Sequence, residues 1–103
     1  MEIRPPRQET LDKYGLSMEE WKALWESQGK RCPICGKFPK TGSPCEFNID
    51  HKHFPRFHQM APELRKKFVR GILCQWCNRS YMAKAMTIAK AHNIITYLQR
   101  SNI

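Results

Sequence analysis

The stretch "YGLSMEEWKALWESQG", residues 14–29, sets the first element. Trp21, Leu24 and Trp25 fall on one face of a 3.6-residue repeat. Ser17 and Glu20 have the spacing of a capping box, Leu16 and Trp21 that of a hydrophobic staple, and Gly29 supplies a stop. The pattern predicts a helix over 18–28 whose tryptophans cover a small core. Farther on, "CEFNI" (45–49) alternates as a strand does, with Cys45 as a small buried strand residue. "FVRGILC" (68–74) is a second extended segment, and the two pair as an antiparallel hairpin. Between them "HFPRFHQMAPELRKK" is too long for a tight turn, and Pro62 opens a helical turn within it. From Cys74 the chain reads helical to about Arg100 with a break, Met82, Met86, Ile88, Ile94, Ile95 and Leu98 supplying apolar faces. Residues 1–12, with Pro5 and Pro6 and few apolar groups, read as a loose arm. The expectation is one α+β domain over 1–103, with a motif-bearing core at 14–80 and a C-terminal helical extension at 81–103.

A domain of 103 residues has a marginal core unless something braces it. Five cysteines suggest the brace. Four form two pairs, "CPIC" (32–35) and "CQWC" (74–77), and Cys45 stands apart. No apolar run reaches the ~18 residues of a membrane span. The segment "MEIRPPRQET" lacks the apolar stretch of a signal peptide. A reducing compartment is therefore expected, with thiolates that bind metal and not disulfides. Two Cys-x-x-Cys pairs fill the tetrahedral shell of one Zn²⁺ and leave no open position, so the role of Cys32, Cys35, Cys74 and Cys77 is structural.

Charge changes the picture next. Residues 1–50 balance eight Lys/Arg against eight Asp/Glu, whereas residues 51–103 hold ten Lys/Arg and the single acid Glu63. The whole net charge of +9 sits in the second half. Such an excess marks a polyanion partner, most often nucleic acid, with a solvated basic face as the plainer alternative.

The candidate chemistry lies in "NIDHKHF" (48–54) and in the asparagine that follows "CQWC". Zinc would tie the loop before the first strand to the helix after the second, fixing Asn78 relative to Asp50, His51 and His53. A carboxylate and an amide oxygen are hard ligands suited to Mg²⁺. A neutral histidine beside such a metal can take a proton from water. Metal, base and basic surface together describe phosphodiester hydrolysis.

"DHKH" on a strand, a return strand ending "RGILC", and "CxxCN" opening a helix resemble the phage recombination endonuclease VII family of His-Me finger (HNH, ββα-metal) nucleases. "YGLS" and "CPICG" are similar to that family's run-in, and the likeness covers roughly 14–80. It implies a zinc-stabilised ββα-metal core with an N-terminal helix and C-terminal helices. It implies that Asp50 and Asn78 hold a catalytic Mg²⁺ or Mn²⁺, that His51 is the general base, and that His53 contacts the scissile phosphate or supports the site. The implied activity is DNA cleavage to 5′-phosphate and 3′-hydroxyl ends, best known on four-way junctions, by a phage protein in the host cytoplasm. Lys52, Arg56, Arg65, Lys66, Lys67, Arg70 and Arg79 are the candidate DNA contacts; the insertion at 54–67 either carries such contacts or is plain surface. Because strand alternation places Asp50 and His51 on opposite faces, these roles require the strand to bend or end near residue 50. His58 and His92 read as ordinary loop and helix histidines.

Alternative readings are an HNH nicking enzyme without junction preference, and a Cys₄ zinc module that grips nucleic acid without cutting. A second zinc site at His51 and His53 lacks further close ligands. Junction resolution needs two active sites, so the apolar C-terminal helix is a candidate homodimer surface as well as candidate core.

Overall fold

The computed structural model describes residues 3–82 and 86–100. Its elements are α1 (Gln8–Tyr14), α2 (Met18–Ser27), β1 (Phe47–His51), a 3₁₀ turn (Phe57–Gln59), α3 (Pro62–Lys66), β2 (Val69–Cys74), α4 (Gln75–Ser80) and α5 (Ile88–Gln99). The class is the expected α+β, a two-stranded antiparallel sheet with helices at both ends.

The capping box forms in both directions. The Glu20 N–H donates to Ser17 Oγ at 3.1 Å and the Ser17 N–H to Glu20 Oε1 at 2.9 Å. The staple residues Leu16 and Trp21 are buried, and the helix stops at Gln28 and Gly29. Trp21 stacks on Trp25 at 6.0 Å between centroids, and Trp25 meets Phe47 of β1 edge-on at 4.9 Å. With Ile49, Ile72, Leu73 and three of the cysteines these rings make the core. Their burial is the main term that offsets the chain entropy of so short a domain.

Gln28 does more than end α2. Its side-chain amide accepts from the Ile72 N–H at 2.7 Å and donates to the Ile72 carbonyl at 2.9 Å. One residue thus pairs with β2 as a neighbouring strand would, covering part of the edge that a two-stranded sheet leaves open.

Three expectations need correction. The segment read as a loose arm is largely structured: α1 begins at Gln8, and Ile3 and Leu11 belong to the core, Leu11 with no exposure. Gly15 ends α1 at φ +69° and packs so closely on the start of α3 that a Cβ would collide with the Pro62 carbonyl. Secondly, β1 starts at Phe47, and Cys45 is an exposed turn residue, not a buried strand residue. Glu46 causes the delay, its carboxylate accepting from the Lys40 N–H at 2.8 Å and the Thr41 N–H at 3.0 Å and so holding residues 40–46 in a loop. Burial opposes that charge, but the bonds from Thr41 and Lys40 outweigh it and hold the Glu46 carboxyl at about 2. Thirdly, of the two alternatives for the insertion, plain surface does not hold. Phe57 is buried, and Arg65 donates to the Lys13 carbonyl at the end of α1 at 2.8 Å.

The C-terminal break falls between α4 and α5, where residues 83–85 lie outside the described residues. Helix α5 buries none of its residues and exposes Ile88, Ile94, Ile95 and Leu98.

The correction at α1 carries a test. Leu11→Ala should lower the stability of the zinc-loaded protein by about 2–5 kcal/mol, the range for emptying a core leucine site. Urea unfolding measures it, and a change under about 0.5 kcal/mol, typical of surface positions, would restore the loose arm.

Candidate metal centre and active site

The four cysteines of the two pairs come together. One ligand atom from each of Cys32, Cys35, Cys74 and Cys77 lies within 4.8 Å of every other. The Sγ atoms of Cys35 and Cys74 are 3.7 Å apart. A tetrahedron with Zn–S near 2.3 Å has edges of about 3.8 Å, so this spacing suits zinc. The first pair sits in a knuckle where the Cys32 N–H donates to the Lys37 carbonyl and the Gly36 N–H to the Cys32 carbonyl, both at 2.9 Å. The second pair spans the junction of β2 and α4, where Cys74 caps the helix and accepts from the Cys77 N–H at 3.4 Å. Burial pushes the Cys74 and Cys77 thiols up, and the neighbouring thiols push Cys77 further. A divalent cation reverses that penalty by drawing in four thiolate charges.

The four cysteines therefore bring the loop after α2 against the end of the hairpin, where a shared zinc would clamp the two. At the hairpin's other end the ladder is irregular. Asp50 pairs with Gly71 but His51 pairs with Val69, leaving Arg70 as an extra residue in β2. The extra residue lies in β2, opposite the end of β1, which stops at His51. The bulge re-aims Arg70, since an inserted residue no longer follows the alternation of its neighbours. The Arg70 guanidinium takes both oxygens of the buried Asp50 carboxylate, Nε to Oδ2 at 2.8 Å and an Nη to Oδ1 at 3.1 Å.

His51 ends β1 in an aromatic nest. Its ring centroid lies 4.1 Å from Phe57, 4.8 Å from His53 and 5.4 Å from Tyr14. Burial, aided by the facing His53, lowers its pKa below the usual histidine value, against a smaller pull from Asp50. That shift favours the neutral imidazole, the form that accepts a proton. His53 is exposed at the rim. The sequence reading missed Phe57 and Tyr14 as walls of this nest, because they come from the insertion and from the supposed arm.

Asn78 is partly buried on α4 and lines a cleft of about 310 Å³ with Arg7, Tyr14, Asn48 and Ile49. Asp50 lines a different hollow, with Arg70, Ile34 and Leu73. Asp50, His51 and His53 thus cluster at the bulge, and Tyr14 links the nest of His51 to the cleft of Asn78. The donor chemistry of Asp50 and Asn78 suits a hard cation, but Arg70 holds both Asp50 oxygens.

The candidate DNA contacts divide. Arg65 is tied to Lys13, Lys66 is ion-paired with Glu20, and Arg70 is committed to Asp50. Lys52 lies over the Phe54 ring at 5.0 Å. Arg56, Lys67 and Arg79 are exposed.

Breaking the Asp50–Arg70 pair should be asymmetric. Arg70→Ala strands a buried carboxylate and should cost about 1–3 kcal/mol, whereas Asp50→Asn frees a side chain that already reaches water and should cost less. Equal midpoints in urea for both variants would contradict this.

These features define a small mixed α+β domain clamped by a Cys₄ cluster fitted to zinc. The family model for recombination endonuclease VII matches residues 7–100, and the chain belongs to that family. It is 32% identical over 91 residues to the Gene 59 protein of Mycobacterium phage D29, covering 87% of this chain and 47% of that protein. It is 29% identical over 91 residues to the Gene 59 protein of Mycobacterium phage L5, covering 88% of this chain and 44% of that protein. The chain thus spans about half the length of these curated relatives. No solved structure matches it. Among the described residues no helix is long and apolar enough to cross a membrane.

Proposed function

We propose that this domain hydrolyses DNA phosphodiester bonds with the help of a divalent cation, leaving 5′-phosphate and 3′-hydroxyl ends. The observation that carries the reading is the placing of His51 at the end of β1, stacked on Phe57 and next in sequence to the buried Asp50. Family membership over 7–100 and the basic half of the chain supply the substrate class. His51 takes the proton of the attacking water at a ring nitrogen, and Phe57 and Tyr14 fix the plane of that ring. Asp50 and Asn78 line separate hollows, so they would hold Mg²⁺ or Mn²⁺ together only once Arg70 releases an Asp50 oxygen and the two side chains turn to a common point. When bound, the cation stabilises negative charge on the phosphate and the leaving oxygen. His53, at the rim, reaches toward the phosphate. The DNA path runs past the exposed Arg56, Lys67 and Arg79.

Branched DNA is the proposed substrate, and the exposed apolar face of α5 is the proposed dimer surface that would pair two sites across a junction. The host cytoplasm is the proposed setting. Purified protein with Mg²⁺ should be offered matched linear, nicked and four-way DNA. Cleavage concentrated at the branch point supports junction resolution, equal nicking of all three supports the nicking alternative, and no cleavage of any supports a binding module.

A further inference from the structure

Helix α4 carries two faces with different tasks. Cys77 turns inward to the zinc cluster and Asn78 faces the cleft beside Tyr14 and Asn48. Gln75, Trp76, Arg79 and Ser80 line an open hollow on the outer side. Trp76 is 62% exposed, whereas Trp21 and Trp25 are each 3% exposed in the core. Tyr81 braces it edge-on, with centroids 5.2 Å apart and planes at 86°. An indole held at its side but open to water serves no packing purpose, since it leaves apolar area in solvent.

We propose that Trp76, with Arg79 beside it, is a stacking platform for an unpaired base of the DNA, adjoining the cleavage site. The proposal rests on the nuclease reading above. Charge selects the occupant: the half of the chain bearing this face holds ten cations and one acid, so a nucleic acid is attracted to it and an acid-poor protein surface is not. Aromatic rings beside cationic side chains are how proteins hold single strands, because every base offers a π-face while its phosphates meet the positive charge. Paired bases inside a duplex keep both faces stacked on their neighbours, so only an unpaired base can use the indole. The platform is anchored, because the next residue, Cys77, is buried in the four-cysteine cluster, and Asn78 follows directly. A base stacked on Trp76 would thus set which phosphate lies near Asn78, and it would direct the site to places where pairing is interrupted.

The test uses the zinc-loaded full chain with His51→Ala to prevent cutting. Three DNAs are compared: a blunt duplex, the same duplex with a short unpaired thymidine tail, and one whose tail is built of abasic units. The base-bearing tail should tighten binding by about five- to a hundredfold over the blunt duplex, and the abasic tail should not reproduce this gain. Trp76→Ala should erase the gain and leave blunt-duplex affinity unchanged, while Trp76→Phe should keep most of it. Acrylamide quenching gives a second reading. The two core tryptophans are shielded, so quenchable emission comes from Trp76 and should fall only when the base-bearing tail binds. A gain that survives Trp76→Ala, or that the abasic tail matches, overturns the platform while leaving the nuclease reading intact. Equal affinity for blunt and tailed DNA also overturns it and leaves the face to a protein partner. If none of the three DNAs binds, the nuclease reading itself falls.

Discussion

His51→Ala should reduce cleavage by about 10²–10⁴-fold, the usual worth of a positioned general base, while DNA affinity stays within a factor of about two. The separation follows from geometry. The imidazole is wrapped by Phe57, His53 and Tyr14, so it contributes little of the phosphate contact that binding needs. Binding draws on distributed, exposed cations such as Arg56, Lys67 and Arg79. Single-turnover cleavage beside equilibrium binding on one substrate measures both quantities. A parallel loss of binding and cutting would make His51 a binding residue, and retained cutting would move the base elsewhere. His53→Ala is the useful comparison. Its ring stacks on His51 but stays exposed, so the loss should be smaller and should come with altered positioning.

Cys74→Ser should remove most of the cooperative unfolding transition. Structural zinc binding in small domains is worth about 10–16 kcal/mol, which equals or exceeds the ~5–15 kcal/mol stability of a typical domain. Cys74 is the worst thiol to lose, because it ends β2, caps α4 and packs in the core. A serine keeps the cap but supplies a hard oxygen where zinc prefers sulfur. Chelation of the native protein should give the same result, and added Zn²⁺ should restore the native protein but not the variant. Thermal scans with elemental analysis check this. A folded sample without zinc, or a variant melting within a few degrees of the native chain, would show that the core stands unaided.

Local signals were legible before any coordinates. Ser17, Glu20 and Gly29 announce a helix because capping chemistry acts over three or four residues. The two Cys-x-x-Cys pairs announce a metal cluster because the ligands carry their own spacing. What escaped was set by long-range contact. Nothing near Leu11 says that its short helix packs against α2 and α3, since a lone leucine among polar residues also fits an arm. Gln28 gives no hint that its amide pairs with a strand 44 positions away. The Asp50–Arg70 fork depends on a one-residue slip in the ladder, and strand alternation by itself places Arg70 on the other face. Similarly, Phe57 looks like one aromatic among several in "HFPRFH", yet it alone of the four aromatic rings there is buried, against His51.

The central claim is that His51 activates a water that attacks phosphorus. Cleavage of a four-way DNA with Mg²⁺ in ¹⁸O-enriched water, followed by mass spectrometry of the ends, tests it most directly. The account predicts one ¹⁸O on each new 5′-phosphate, an unlabelled 3′-hydroxyl, and no detectable product from His51→Ala in the same time. An unlabelled 5′-phosphate, a 3′-phosphate end, or a labelled product formed equally fast by His51→Ala would contradict it.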